Sequence, residues 1–245
     1  MQLEEYDRMF ALEDRYWWFV GRRRVALRLL RAALGSQGPK PTVLDLGCGT
    51  GVIATELAQW ANPIGLDMSE HALAFCRQRG VSALVQADGE ALPLRGRSVQ
   101  GVLALDIFEH IGDDRAAFAE CYRILDPGGV LVLSVPAFRY LWGPHDVALM
   151  HHRRYTKSQV RTRLEDAGFR VERASYSVFF LFPIVLLVRL VEKLKPGQPK
   201  ASLPNVPGWL NQTLIGLQEF EAACIAKFDL PWGSSVIAVA RKSAP

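Results

Sequence analysis

The sequence predicts an α/β fold: a parallel sheet with helices on both faces and a ligand crevice along one edge. Three observations carry this. Short apolar runs with strand character alternate with helical patterns from about residue 40 to residue 177. Acids recur at the carboxyl ends of those runs, at Asp67, Asp88 and Asp106. The stretch Val43-Leu44-Asp45-Leu46-Gly47-Cys48-Gly49-Thr50-Gly51 leads a buried strand into a turn with glycines at alternate positions. Such a corner places a ligand beyond the carboxyl end of the strand, where backbone can approach it closely.

In chain order, residues 1–35 read as helical, with a break expected near Gly21, and Gly35-Ser36-Gln37-Gly38-Pro39 closes the segment as a loop. Within it Tyr16-Trp17-Trp18-Phe19 precedes Arg22-Arg23-Arg24. Four consecutive aromatics cannot all face one core. They form either a helix packed on the domain with one or two rings exposed, or a flap over the ligand with an arginine aimed inward. After the glycine corner a helix is expected over Val52–Trp60, then a strand over Pro63–Asp67. Ser69 has the chemistry of a helix cap before Glu70–Arg79. Further strands are expected over Val81–Gln86 and Val99–Leu105, then a helix capped by Asp113 or Asp114 and running through Leu125. Pro127-Gly128-Gly129 turns into a fifth strand, Val130–Val135. Thr156 caps a helix that ends at Gly168, and Gly168–Tyr176 is a sixth strand.

Regularity then fails for about fifty residues. Val178–Val188 is a run of eleven residues interrupted by Pro183 and closed by Arg189. It falls short of the roughly 20 apolar residues that a membrane span needs. Residues 196–207 read as a proline-rich linker, Trp209–Lys227 as an amphipathic helix, and Ser234–Ala240 as a final strand. The expected organisation is a single domain over 1–245: a helical flap (1–38), a core (40–177 and 232–242) and an apolar, helical insertion (178–231).

Composition narrows the functional classes. A net charge of +4 over 245 residues is too mild to argue for nucleic acid. No Asn-Pro-Pro-Tyr-type motif is present. The four cysteines, Cys48, Cys76, Cys121 and Cys224, have neither zinc-ligand nor redox spacing. Met1-Gln2-Leu3-Glu4-Glu5 is acidic and lacks the basic start and apolar core of a signal peptide. A cytoplasmic protein with reduced thiols is expected.

The glycine turn alone is a weak signal. In a G-x-G-x-x-G fingerprint the third glycine would stand at position 52, which is Val52, and the glycine is Gly51 instead. Asp67 lies 20 residues past Gly47, where a carboxylate can accept hydrogens from both hydroxyls of a ribose. Asp88, with Gly89 and Glu90, ends the third strand within reach of an adenine amino group. Asp106 ends the fourth, close to the glycine turn.

Taken together, Val43–Gly51, Asp67, Asp88, Val102–Asp106 and Leu125-Asp126-Pro127-Gly128-Gly129 resemble the ordered motifs of class I S-adenosylmethionine-dependent methyltransferases over roughly residues 40–175. The resemblance implies a Rossmann-like three-layer sandwich on a seven-stranded, mostly parallel sheet whose last strand is antiparallel. It implies S-adenosyl-L-methionine as cofactor. The backbone near Gly47 would meet its methionine part, Asp67 would hold the ribose, Asp88 and Gly89 the adenine, and Leu105 the amino group. Asp45, Cys48, Gly49, Gly51, Met68, Glu90, Asp106 and His110 are expected beside the cofactor with them. Trp18 is expected to close the pocket, and Arg22 or Arg23 to reach the cofactor carboxylate, whose shape an arginine fork matches.

The flanks also carry a resemblance. Trp17-Trp18-Phe19 followed by Arg22 and Arg23, and His151-His152-Arg153-Arg154-Tyr155, are similar to a bacterial subgroup with an aromatic-arginine start and a His-x-Arg-Arg-Tyr loop. Members of that subgroup are assigned to glycan, lipid or secondary-metabolite pathways. Asp106-Ile107-Phe108-Glu109-His110 is similar to the Glu-x-x-Glu-His run of ubiquinone-pathway O-methyltransferases, where these side chains hold a divalent metal. Here Asp106 replaces the first glutamate, two carboxylates and one imidazole suit such an ion only loosely, and no metal is expected.

A hydroxyl acceptor needs a base. The candidates lie after the fifth strand: His145, Asp146, His151 and His152. His151 is favoured for contact with the acceptor and His145 is the alternative, with Tyr155 hydrogen-bonding the same acceptor. Arg153 and Arg154 either orient an anionic acceptor or pair with Asp146. The expected function is methyl transfer to a small-molecule, glycan or lipid-like acceptor, most simply on oxygen. The rivals are a nicotinamide oxidoreductase on a similar sheet and a non-catalytic binding protein that kept the fold. Residues 178–195 are either core or a greasy lid facing a lipid-like acceptor or the inner membrane face, with Arg189, Lys193 and Lys195 meeting anionic headgroups. The sequence does not set the oligomeric state.

Overall fold

The computed structural model describes residues 3–35, 38–194 and 204–243. Lys195 and most of the expected linker, residues 196–203, lie outside the described residues.

Seven strands form one sheet: β1 (Thr42–Leu46), β2 (Asn62–Asp67), β3 (Leu84–Gln86), β4 (Val99–Leu105), β5 (Leu125–Pro136), β6 (Phe169–Ser177) and β7 (Ser235–Lys242). Their order is β3-β2-β1-β4-β5-β7-β6. β7 runs antiparallel to both β5 and β6, and the other pairings are parallel. The helices are α1 (Leu3–Leu12), α2 (Trp17–Leu34), α3 (Val52–Leu57), α4 (Glu70–Gln78), α5 (Asp114–Ile124), α6 (Pro144–Ala148), α7 (Lys157–Asp166), α8 (Phe182–Leu194) and α9 (Gly208–Ile225).

Side chains alternate across the central strands because a strand has a period of two. Leu44 and Leu46, Val102 and Ala104, and Leu131, Leu133 and Val135 share one buried cluster with Phe118, Cys121 and Ile124 of α5 and with Val160 and Leu164 of α7. Val43, Leu103, Leu105, Val130 and Val132 join the opposite cluster with Val25, Ala26, Leu27, Leu29 and Leu30 of α2 and with Ala222 and Ile225 of α9. Burial on both faces is what continuous apolar strands require. α9, from the expected insertion, therefore completes the helical layer beside α2. α8 does not, since none of its described residues is buried.

Capping chemistry fixed several boundaries as the sequence implies. Ser69 accepts from Ala72 N, Asp113 accepts from Arg115 N and Ala116 N, and Thr156 forms a capping box with Gln159. Three expectations are corrected. The break in the N-terminal helices falls at residues 13–16, and α2 runs straight through Gly21. Gly21 is instead a close-packing position, because a Cβ there would stand 1.8 Å from Gln218 Oε1 on α9. The third strand is only Leu84–Gln86. Pro183 does not interrupt the apolar run: it is the second residue of α8, where a missing N–H costs nothing.

Candidate cofactor and acceptor site

A cavity of about 310 Å³ opens beyond the carboxyl ends of β1, β2 and β4, within the size range of small-molecule sites. Its floor is the glycine turn. Gly47 and Gly49 take positive φ, 71° and 53°, and Gly47 N and Cys48 N both donate to Leu66 O, at 2.8 and 2.9 Å. A Cβ on Gly47 would meet Ile107 at 2.7 Å and one on Gly49 would meet Met9 at 2.6 Å, so the turn tolerates no side chain at either position. Gly51 serves packing: its absent Cβ makes room for Cys76 behind the turn.

Asp67 ends β2 at the cavity wall and is nearly buried. Its carboxylate accepts from Ser69 N (2.9 Å), Gly49 N (3.0 Å) and Tyr6 Oη (3.4 Å). Burial pushes this carboxyl up, and the two amides pull it back. Met68, exposed, stands at the rim with Asp88, Gly89 and Glu90. Asp88 accepts from Glu90 N and Glu90 accepts from Asp113 N, which ties this wall to the start of α5. Leu105, Asp106 and His110 continue the lining on the β4 side.

Trp18, Arg22 and Arg23 of α2 form the roof. The two arginines differ in availability. Arg23 is committed, with Nε to Glu56 (2.7 Å) and Nη1 to Glu13 O (2.9 Å). Arg22 pairs with Asp106 and keeps its buried Nε without a partner. Asp106 itself sits at φ 53°, a strained conformation of the kind that gathers at functional sites.

Behind His110 lies a second layer. Asp146 is fully buried and accepts from Arg154 Nε (2.7 Å) and Nη2 (3.0 Å) and from Gly143 N (2.9 Å), and His151 Nδ1 lies 3.0 Å away. Burial raises the Asp146 carboxyl, but His151 and Arg154 pull it further down, well below the usual carboxylate range. An ionised Asp146 makes Nδ1 the protonated nitrogen of His151. The His151 ring stands edge-on to His110 at 4.7 Å and to His145 at 6.4 Å. His145 lines the cavity and His151 does not. Burial pushes His145 down to about 4, and burial with the neighbouring His151 pushes His110 down to about 3, so both are neutral imidazoles at pH 7.

Most of the residues expected at the cofactor do gather here: Trp18, Arg22, Arg23, Gly47, Cys48, Gly49, Asp67, Met68, Asp88, Gly89, Glu90, Leu105, Asp106 and His110 line one cavity. Asp45 and Gly51, also expected at the cofactor, are buried and do not line the cavity. Tyr155 is placed elsewhere: buried, it donates to Asp114 Oδ2 (3.0 Å) and Phe108 O (3.2 Å), which corrects the expectation that it faces an acceptor. Arg154 makes the expected ion pair with Asp146, whereas Arg153 pairs with Asp114 instead. The lining residues not expected from the sequence include Tyr6 and Met9 of α1 and Glu13 just after it. Their spacing of three and four residues marks one helical face, and that face was the available signal.

Asp106, which stands where the ubiquinone-pathway run has its first glutamate, is turned to Arg22. The group within metal-ligand reach among the described residues is Glu109, His110 and His151. Burial raises the Glu109 carboxyl to about 8, against the opposing charges of Arg22 and Arg154. Arg22 and Arg154 are themselves paired with Asp106 and Asp146, and both Glu109 oxygens are buried without a hydrogen-bond partner.

The family described as "Methyltransferase domain" matches residues 44–133, which hold the glycine turn, Asp67, Asp88 and Asp106. A protein of Mycolicibacterium smegmatis described as "probable S-adenosylmethionine-dependent methyltransferase" is 34% identical over 167 residues, 66% of this chain and 63% of that protein. Residues 44–133 are a methyltransferase domain, similar to those of the class I S-adenosylmethionine-dependent methyltransferases. The cofactor of that family is S-adenosyl-L-methionine, so the nicotinamide reading falls. A ubiquinone biosynthesis O-methyltransferase of Xanthomonas oryzae is 28% identical over 144 residues, 53% of this chain and 59% of that protein. The matched segment thus spans about three-fifths of the length of these curated relatives. A solved S-adenosylmethionine-dependent methyltransferase from Thermotoga maritima shares the fold, with TM-score 0.62 and 19% identity, over 98% of this chain and 96% of that one. Among the described residues no helix is long and apolar enough to cross a membrane.

Proposed function

We propose that this protein, acting as a single domain, moves a methyl group from S-adenosyl-L-methionine to a hydroxyl oxygen of a small-molecule, glycan or lipid-like acceptor. The observation that carries the reading is one cavity joining a side-chain-free glycine turn and Asp67 to the neutral imidazoles of His110 and His145. The residues fit the cofactor: Gly47 and Gly49 bring bare backbone to the cavity wall, and the unpaired Nε of Arg22 is a buried donor suited to a carboxylate. The bound cofactor supplies an activated methyl group.

In this reading Asp67 holds the ribose hydroxyls, with Tyr6 yielding its place on the carboxylate, and Asp88 with Gly89 edges the adenine. Arg22, positioned by Asp106, meets the methionine carboxylate, and Trp18 and Phe19 exclude water from above. His145 Nε2 or Nδ1 takes the acceptor proton. The Asp146–His151 pair fixes the layer on which His145 and His110 rest. Histidine bases contribute typically 10²–10⁴-fold. The O-methyltransferase name of the Xanthomonas relative supports oxygen as the acceptor atom.

Asp67→Ala tests the cofactor assignment. The loss of two charge-assisted hydrogen bonds is expected to weaken S-adenosylhomocysteine binding by more than about tenfold in calorimetry, with the circular dichroism spectrum unchanged. Unchanged affinity would overturn it. Turnover of labelled cofactor against a panel of hydroxylated acceptors separates an enzyme from a binding protein that kept the fold.

A further inference from the structure

We propose that α8 is a membrane-docking element that seats the mouth of the cavity on an anionic lipid surface. The inference goes beyond methyl transfer and rests on the helix itself. Helices on soluble domains turn apolar residues inward and charges outward. α8 does the reverse. Ile184 and Leu187 are 61% and 62% exposed, and Val188 and Val191 share their face at helical spacing. The two charges in the middle of the helix turn toward the body instead. Arg189 Nη1 bonds Glu192 Oε2 at 2.8 Å, and both reach Gly143, where a Cβ would lie 3.3 Å from the first and 3.5 Å from the second.

The element is held firmly. Just before α8, Val178 takes φ 60°, an outlier for a β-branched residue. Buried Glu221 of α9 fixes that turn by accepting from the amides of Val178 (2.5 Å), Phe179 (2.7 Å) and Phe180 (3.3 Å). The apolar face is therefore presented on a rigid mount. Gly143, beneath it, opens α6, and His145 of α6 lines the cavity, so this face adjoins the acceptor side of the site.

Length and charge decide the occupant. Thirteen residues at 1.5 Å each give about 20 Å, short of the roughly 30 Å of bilayer hydrocarbon, so the helix lies in the interface and does not cross it. Lys193 at its end donates to Tyr140 O at 2.6 Å, and Arg139 and Tyr140 are exposed beside it. The only acid of α8, Glu192, is neutralised by Arg189. An apolar stripe with cations and a tyrosine at its border matches anionic headgroups over acyl chains. A second copy offers no complement, since it carries the same cations and the same net charge of +4.

The test is flotation of the full chain with phosphatidylcholine vesicles and with mixed phosphatidylcholine–phosphatidylglycerol vesicles. Wild type is expected to float with the mixed vesicles. Ile184→Glu with Leu187→Glu is expected to stay at the bottom of the gradient. Arg139→Ala with Lys193→Ala is expected to bind the mixed vesicles about fivefold more weakly for each cation removed. Light scattering and S-adenosylhomocysteine calorimetry accompany each variant. Absence of flotation with either lipid, flotation undiminished by the double glutamate change, or a wild-type dimer that this change dissociates would each overturn the docking role. A protein that floats but does not bind S-adenosylhomocysteine would refute the methyl-transfer reading and leave the docking surface standing.

Discussion

His145, in α6, and His151, in the loop that follows it, both lie between β5 and α7, yet they are not equivalent. His151 is pinned through Nδ1 to a buried, ionised Asp146, and its ring is packed behind His110. His145 has its ring in the cavity. Burial holds it near 4, against about 6.5 for an ordinary imidazole, so at neutral pH its lone pair is free to accept a proton. His145→Ala is therefore expected to lower kcat by about 10²-fold or more with little change in S-adenosylhomocysteine affinity. The acid limb of the wild-type kcat profile is expected near pH 4, well below the ordinary histidine range. A limb near 6.5 that survives in His145→Ala would assign the proton to another group. The motif around His151 pointed to the segment between β5 and α7 that holds both rings. Sequence alone could not say which ring faces the cavity, because that depends on Asp146 being swallowed by Arg154 and the Gly143 amide.

Elements were legible where local chemistry decides them. Ser69, Asp113 and Thr156 announce helix starts through side-chain oxygens, and the apolar runs of β1, β4 and β5 are read directly as strands buried on both faces. Misreadings arose where tertiary contact overrides propensity. Gly21 looks like a helix break because glycine costs about 1 kcal/mol within a helix. α2 tolerates that cost because α9 approaches at this point, with Gln218 occupying the space where a Cβ would be. Restoring a side chain sets a propensity gain of less than about 1 kcal/mol against an overpacking penalty of about 1–3 kcal/mol. For a leucine the penalty wins. Gly21→Leu is expected to lower unfolding free energy by up to about 2 kcal/mol in urea titration once the propensity gain is subtracted. A variant as stable as wild type would show that α2 and α9 do not depend on this contact. α1 was invisible as a cavity wall for a related reason: the face carrying Tyr6, Met9 and Glu13 looks like any amphipathic face until Gly49 lets Met9 approach the turn.

For the molecule as a whole, the site costs stability in a pH-dependent way, and four buried groups set opposing slopes. Burial holds Asp45, beneath the glycine turn, and Glu109 at about 8, while the unfolded chain releases those protons near pH 4. Their contribution is present at low pH and is lost as pH rises through about 8. His110 and His145 behave in the opposite sense, at about 3 and about 4 against roughly 6.5 unfolded. Their contribution is present above about 6.5 and is lost as pH falls toward their folded values. Between about pH 4 and 6.5 the two pairs cancel, since the folded chain holds two carboxyl protons where the unfolded chain holds two imidazole protons. Above about 6.5 the imidazoles are neutral in both states and only the carboxyl slope remains, up to about 1.4 kcal/mol per pH unit for each proton. Glu109→Gln removes one of those protons from the balance. Its melting temperature relative to wild type is therefore expected to rise steadily from pH 6.5 to 8, and Asp45→Asn is expected to do the same from beneath the glycine turn. A difference between variant and wild type that stays constant across that range would mean that neither carboxyl carries its proton into the neutral range.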